Sequence, residues 1–133
     1  MPIAETCPPL ALNEAGISTL ITTFYARVRE DESLGPVFAR AIPEGHWAEH
    51  LGHMNAFWSS VMLSSGRYHG KPVQMHAKHQ DVLTLAMFTR WLELWTQTTH
   101  ELFSPEQARL FVHKARQIAT SLQFALFESN TAP

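Results

Sequence analysis

The sequence predicts an all-α fold of four long helices joined by shorter ones, and two observations support this prediction. Apolar residues recur at spacings of three and four along most of the 133-residue chain, which is the periodicity of helices that bury one face. No segment alternates apolar and polar residues in the period-two pattern of a half-buried strand. The hydrophobic fraction of 45% and charged fraction of 17% are typical of a globular protein.

The first long helix is predicted to begin after Asn13, a suitable N-cap, and to end at the turn-forming residues from Asp31 to Pro36. A short helical turn is then expected to direct Val37 and Phe38 inward. The segment AIPEG breaks the chain again. The apolar stripe of the first helix is Ile17, Leu20, Ile21, Phe24, Tyr25 and Val28.

The second long helix is predicted from about residue 44 to about Gly66, with His50 on or beside its apolar stripe. The segment RYHGKP should form a loop, and Pro72 suits the first turn of a short helix that carries His76. The stripe of the second helix is Trp47, Leu51, Met54, Phe57, Trp58, Val61 and Met62.

Two further long helices complete the pattern. One presents Leu85, Phe88, Trp91, Leu92 and Trp95 on a single face. The other begins at Ser104-Pro105-Glu106-Gln107, where Ser is the N-cap, Pro is the first helical residue and Gln completes a capping box. Its apolar residues are Leu110, Phe111, Ala115, Ile118, Leu122 and Leu126.

The chain is long enough for one domain and too short for two. Residues 12–128 are expected to form this domain, residues 1–11 an irregular proline-rich arm and residues 129–133 a disordered tail. The net charge is −2 and no Lys/Arg block occurs, so we expect no nucleic-acid binding. No apolar run could span a bilayer and no signal peptide is recognisable, which favours a cytoplasmic protein without membrane attachment.

Nucleophilic catalysis finds no support in the sequence. Cys7 is the single cysteine and lies in the proline-rich arm, so no intrachain disulfide can form. No serine lies in a hydrolase motif, and no glycine-rich loop could hold a phosphate. Eight histidines and four tryptophans stand out instead. They suggest metal or proton chemistry near an aromatic cavity, or simply an aromatic core.

His76 is the most informative histidine. It follows a segment with helix breakers and lies beside apolar Val73 and Met75, between helices with apolar faces. A neutral imidazole held against an apolar cleft is a suitable haem ligand. The local segment alone favours an ordinary histidine on a short surface helix, and only the rest of the chain changes this balance.

Four segments, taken in order, resemble the truncated haemoglobins, and specifically their third group. They are TFYARVREDESLGPVF, WAEHLGHMNAFWSSVML, YHGKPVQMH and FTRWLEL. The resemblance extends from about Gly16 to Ala125, and the absence of Gly-Gly pairs also fits this group. It implies a shortened globin, with helices stacked two over two around one haem b.

The resemblance also implies a role for individual residues. His76 corresponds to the proximal histidine that ligates the iron, and His50 to the distal histidine. Tyr25 and Trp91 correspond to residues that donate hydrogen bonds to the bound ligand. The haem pocket implied in this way consists of Phe24, Tyr25, His50, Met54, Phe57, Trp58, Tyr68, His76, Phe88 and Trp91.

Two hydrogen bonds from Tyr25 and Trp91 should hold O2 tightly, because each bond to a charged acceptor contributes roughly 1.5–3 kcal/mol. Slow release suits O2, NO or peroxide chemistry, or sensing, better than oxygen transport. CO, NO and cyanide are expected ligands too. NO dioxygenase-like or peroxidase-like activity, with a reductase as partner, would follow from such chemistry.

The segment AKHQDVLTLAM after His76 is more polar than the family usually shows, and the path of residues 77–83 is therefore open. His79, one turn after His76, is a rival ligand. Side chains flanking His76 are candidates to contact the haem propionates, although solvated side chains are the plainer interpretation. They are Arg67, Tyr68, Lys71 and Lys78.

Two other classes of protein compete with the globin interpretation. His46, His50 and His53 have the spacing of one helix face and would suit a non-haem divalent metal. They lack the HExxH order of zinc proteases. A helical interaction module without ligand, whose aromatic residues merely pack, is the other alternative.

Overall fold

The computed structural model describes residues 8–128, which fold into six α-helices without any strand. The predicted tail and most of the predicted arm lie outside these residues. Each helix corresponds to a predicted apolar stripe or helical turn. The helices are α1 (Glu14–Glu30), α2 (Leu34–Ala41), α3 (Trp47–Leu63), α4 (Pro72–Ala77), α5 (Leu85–Leu102) and α6 (Pro105–Gln123), and a π-helical turn, Phe124–Glu128, extends the last.

The four long helices form two layers. Helix α1 packs on α3, α5 packs on α6, and α1 also contacts α5 across the layers. The core lies between them, where Trp58 of α3 stacks on Trp95 of α5 with ring centroids 4.4 Å apart. The predicted stripe of α1 is buried throughout. None of the described helices has the length and apolarity needed to cross a bilayer.

Side-chain caps confirm two predicted helix starts. The Asn13 side-chain oxygen accepts a hydrogen bond from the backbone N–H of Gly16 at 2.8 Å. The Ser104 hydroxyl oxygen accepts one from the N–H of Gln107 at 3.3 Å, and Pro105 is the first residue of α6. Each cap satisfies an N–H that has no partner within its own helix.

The first long helix ends at Glu30, as predicted, but Gly35 and Pro36 do not form the expected turn, because α2 begins at Leu34 and includes both residues. Proline is tolerated in the first turn of a helix, where its missing N–H costs nothing. The Asp31 carboxylate accepts hydrogen bonds from the N–H groups of Ser33 and Leu34, and so caps α2 from outside. The prediction assigned these residues to a turn and missed the cap.

Three further details differ from the predictions. Helix α3 ends at Leu63, before Gly66, because Ser64 adopts a left-handed conformation with φ of 56°. Leu85 and Leu110, assigned to buried faces, are 58% and 53% exposed. Leu85 is the first residue of α5, where the helix emerges from the core. On α6 the neighbouring Phe111 is buried instead.

The path of residues 77–83 consists of successive turns stabilised by backbone hydrogen bonds, among them those from the N–H groups of His79 and Leu83. Helix α4 packs against α6 and the π-helical turn. The Gln80 side chain donates a hydrogen bond to the Leu126 carbonyl. The short helix that carries His76 is therefore attached to the end of the chain's longest helix.

Asp31 joins three helices, since it follows α1, caps α2 and pairs with Arg90 of α5 at 2.7 Å. Its side chain is 7% exposed. Burial favours the neutral acid, but the hydrogen bonds from Arg90, Leu34 and Ser33 outweigh it and lower the pKa of Asp31 from 3.8 to about 2. The charged carboxylate therefore stabilises the folded state.

Replacing Asp31 with Asn should lower the free energy of unfolding at pH 7 by about 1–2 kcal/mol, because the charge-assisted hydrogen bonds are lost. A folded pKa below the usual value stabilises the fold above about pH 4, and this contribution disappears as the pH falls toward 2. Urea unfolding measured from pH 7 to pH 2.5 should therefore show that the free energies of unfolding of the wild type and of Asp31→Asn converge as the pH falls. The exposed neighbour provides a control, Glu32→Gln, and an equal loss in that variant would contradict this role for Asp31.

Candidate functional site

Helices α1, α3 and α5 bring four of the predicted site residues together. The rings of Tyr25 and His50 meet edge to face with centroids 4.9 Å apart. Phe24 contacts Tyr25 at 4.9 Å and Trp91 at 5.7 Å. Phe24 therefore contacts both residues that were predicted to donate hydrogen bonds.

Tyr25 is 4% exposed. Burial raises the pKa of its phenol far above the usual value, and a hydrogen bond with the Trp91 side chain lowers it by a smaller amount. An indole N–H can only donate, so the Tyr25 oxygen is the acceptor in that interaction. The phenol stays neutral at any physiological pH and keeps its own O–H proton to donate.

The surroundings of His50 disfavour its charged form, unlike those of a solvated surface histidine. Burial lowers its pKa, charges on His53 and His76 lower it further, and the pKa reaches about 4. Its Nε2 atom is buried and has no hydrogen-bond partner among the described residues. A buried polar atom without a partner is costly. This one belongs to a neutral imidazole whose ring meets that of Tyr25 edge to face.

His76 lies near the end of the short helix α4, which begins at Pro72. Its Nδ1 atom is 2.7 Å from the Pro72 carbonyl oxygen. A carbonyl only accepts, so Nδ1 carries the proton and Nε2 keeps its lone pair. Histidines that bind metals usually have this second hydrogen bond, which orients the ring and selects the tautomer.

The two histidines are close enough to interact, because charge on His76 contributes to the lowered pKa of His50. His79, the rival ligand, makes no such contribution, and its Nδ1 atom is buried without a partner among the described residues. The hydrogen bond to Pro72 orients the His76 ring, whereas the Nδ1 atom of His79 has no such bond.

The other residues predicted to line the haem pocket differ in how deeply they are buried. Met54 and Phe57 are partly buried on α3, and Phe57 contacts Tyr68 edge to face at 5.1 Å. Trp58 is 1% exposed and belongs to the core. Phe88 lies in a second apolar cluster with residues of α6 and of the π-helical turn. Trp58 and Phe88 therefore support the helices on which the more exposed site residues lie.

Phe38 and Trp47 lie beside His50, although neither was predicted to belong to the site. Their ring centroids lie 6.3 Å and 5.4 Å from the imidazole. Trp47 precedes His50 by one helical turn, so the spacing contained a signal for it. Phe38 comes from α2, and only the packing of α2 on α1 brings it to His50.

Arg67, a candidate to contact propionates, forms an ion pair with Glu14 of α1 instead. The other carboxylate oxygen of Glu14 accepts a hydrogen bond from Ser59 at 2.6 Å. Ser59 also shares a hydrogen bond with Ser65 at 2.6 Å. This network holds the loop after α3 against α1, so the guanidinium of Arg67 has a structural role.

The alternative metal site is not assembled. In the part of the chain that the structure describes, no group of three or more His, Cys, Asp or Glu side chains could hold a metal ion. His46 lies before α3, and its side chain is 60% exposed and 3.7 Å from the Glu49 carboxylate. His50 is turned toward Tyr25. His46, His50 and His53 therefore do not converge.

Two helical layers, with an oriented histidine on a short helix near a cluster of buried Tyr25 and half-buried His50 and Trp91, define a truncated globin. No protein-family model matches the chain. It is 31% identical over 121 residues to the group 3 truncated hemoglobin of Campylobacter jejuni, covering 88% of this chain and 93% of that protein. The crystal structure of a group III truncated hemoglobin from C. jejuni is similar, with a TM-score of 0.80 and 29% identity over 92% of this chain and 98% of that one.

The chain belongs to the group III truncated haemoglobins. The fold class expected from the four sequence segments is thereby confirmed. Haem is the cofactor that membership of this family implies.

Proposed function

We propose that this protein binds haem b through His76 and holds a diatomic gas ligand at the cluster of Tyr25, His50 and Trp91. The observation that carries the proposal is the hydrogen bond between His76 Nδ1 and the Pro72 carbonyl, which leaves Nε2 as a free ligand atom. Membership of a haemoglobin family supports the choice of haem over other cofactors.

The residues present fit a haem. A haem needs one strong axial ligand and apolar walls, and His76 supplies the ligand while Met54 and Phe57 supply partly buried apolar surface. The unpaired, buried Nε2 atom of His50 provides a polar group on the side where a ligand would bind. A haem iron with one axial histidine supplies a free coordination position for O2, CO, NO or cyanide.

The ligand would be held by the protein's own donors. Burial keeps the Tyr25 phenol protonated, so its O–H can donate to a ligand while its oxygen accepts from Trp91. Trp91 therefore orients the hydroxyl that would contact the ligand. With a pKa of about 4, His50 is neutral at pH 7, so one ring nitrogen can donate and the other accept.

We propose tight O2 binding, which suits redox chemistry on O2, NO or peroxide, or sensing, better than oxygen transport. Hydrogen bonds from buried donors are strengthened where water is excluded, and Tyr25 is nearly inaccessible to solvent. Repeated turnover would consume electrons, so a reductase is the partner that this chemistry requires. A protein that binds O2 tightly releases it slowly and is therefore a poor oxygen carrier.

The visible spectrum of the purified protein tests haem binding. We expect a Soret band in the ferric protein, and a dithionite-reduced form that takes up both CO and O2. His76→Ala should lose this spectrum, because it removes the ligand, and added imidazole should restore it. The matched control is His79→Ala, which removes the neighbouring histidine and should retain the spectrum.

Two outcomes would overturn these assignments. A protein without a Soret band, even after hemin is added, would exclude the haem proposal. Loss of the spectrum in His79→Ala, with retention in His76→Ala, would identify His79 as the ligand.

Removal of the donors should speed O2 release. We expect Tyr25→Phe and Trp91→Phe each to raise the O2 dissociation rate by about 10- to 100-fold, because the first removes the hydroxyl that donates to the ligand and the second removes the N–H that orients this hydroxyl. Stopped-flow displacement of O2 by CO measures this rate. Removal of an exposed hydroxyl on α5, Thr89→Val, provides the control, and unchanged rates in both site variants would refute the role assigned to the donors.

A further inference from the structure

Three aromatic rings enclose the imidazole of His50. Tyr25 lies 4.9 Å from it, Trp47 5.4 Å and Phe38 6.3 Å, as measured between ring centroids. The Nε2 atom of His50 is buried although the residue as a whole is only half-buried. The orientation of this imidazole therefore depends on the rings around it.

The three rings differ in how firmly they are held. Tyr25 is buried in the middle of α1, and Phe38 lies within α2. Trp47 is half-buried and is the first residue of α3, directly after the loop that joins α2 to α3. Helix ends open more easily than helix interiors, so Trp47 is the ring that can move most readily.

A cation covers Trp47 from the solvent side. The Arg29 guanidinium carbon lies 4.3 Å from the centroid of the Trp47 ring. This is a cation–π contact. Arg29 is exposed in the last turn of α1 and forms no ion pair among residues 8–128. Its interaction with Trp47 joins the end of α1 to the start of α3.

We propose that Trp47, clamped by Arg29, is a positioning residue for His50. It keeps the imidazole turned toward Tyr25 and closes the path from solvent to that side of the site. A diatomic ligand then reaches the site only when the Trp47 ring moves aside. This inference rests on the proposed gas-binding function, and it adds a residue that controls access.

Two measurements on the protein as purified test the proposal. The first is the association rate of CO after flash photolysis. The second is the rate at which diethyl pyrocarbonate modifies His50, localised by mass spectrometry, which depends on the exposure of the imidazole and requires no gas binding. A purely structural role for Trp47 would not change both rates together in a folded protein.

Trp47→Ala should raise both rates about fivefold, because loss of an aromatic contact of this kind shifts the equilibrium between covered and uncovered His50 by about that factor. Trp47→Phe retains a ring beside His50 and should restore most of the wild-type behaviour. Arg29→Gln should raise both rates about twofold through loss of the cation–π contact, whereas Arg29→Lys, which keeps a cation, should not. Arg109→Gln, on exposed α6 surface, is the matched control.

Unchanged rates in Trp47→Ala and Arg29→Gln would overturn the proposal, as would equal effects in Arg109→Gln. If Trp47→Ala does not fold, the exposed Arg29 variants decide the question alone. Absence of haem from the wild-type protein would count against the proposed function only. Modification of His50 would still show whether Trp47 and Arg29 protect it.

Discussion

Phe24 is fully buried where α1 crosses α5, and its ring meets Trp91 and Trp95 edge to face. This contact joins the two helical layers at the level of the site. Tyr25 follows Phe24 on α1, so the same contact sets the distance between the phenol and the indole of Trp91. Loosening Phe24 would therefore disturb the hydrogen-bonding pair as well as the core.

Electrostatics distinguish the two histidines of the site. His50 is surrounded by aromatic rings, and burial together with nearby histidine charges lowers its pKa. His76 donates Nδ1–H to a backbone carbonyl on its own short helix. The first arrangement produces a neutral, unpaired nitrogen beside Tyr25, and the second produces a ring of fixed tautomer with a free lone pair. The same residue type thus acquires two complementary properties.

The ion pairs of the structure support the site from outside. Asp31 caps α2, which carries Phe38, and pairs with Arg90, the residue before Trp91. Glu14 and Arg67 hold the loop that leads from α3 toward α4. These ion pairs, two of whose members were expected in a turn or in solvent, therefore help to determine how accurately the aromatic residues of the site are placed.

Helices and their starts were largely predictable because their causes are local. Apolar spacing identified all four long helices, and the caps at Asn13 and Ser104 were recognised from the residues alone. The errors have a common origin. Gly35 and Pro36 entered a helix because Asp31 caps it, and Leu85 and Leu110 are exposed because neighbouring helices do not extend over them. Neither cause can be read from periodicity.

The candidate site was predictable to a similar extent. Motif order identified the family and named Tyr25, His50, His76 and Trp91, since side-chain chemistry and spacing are properties of the chain. Only the packing of helices α1, α2, α3 and α5 brought Phe38 and Trp47 around His50 and left its Nε2 atom unpaired. Burial and unsatisfied hydrogen bonds depend on contacts between residues distant in the chain, and these exist only in the folded protein.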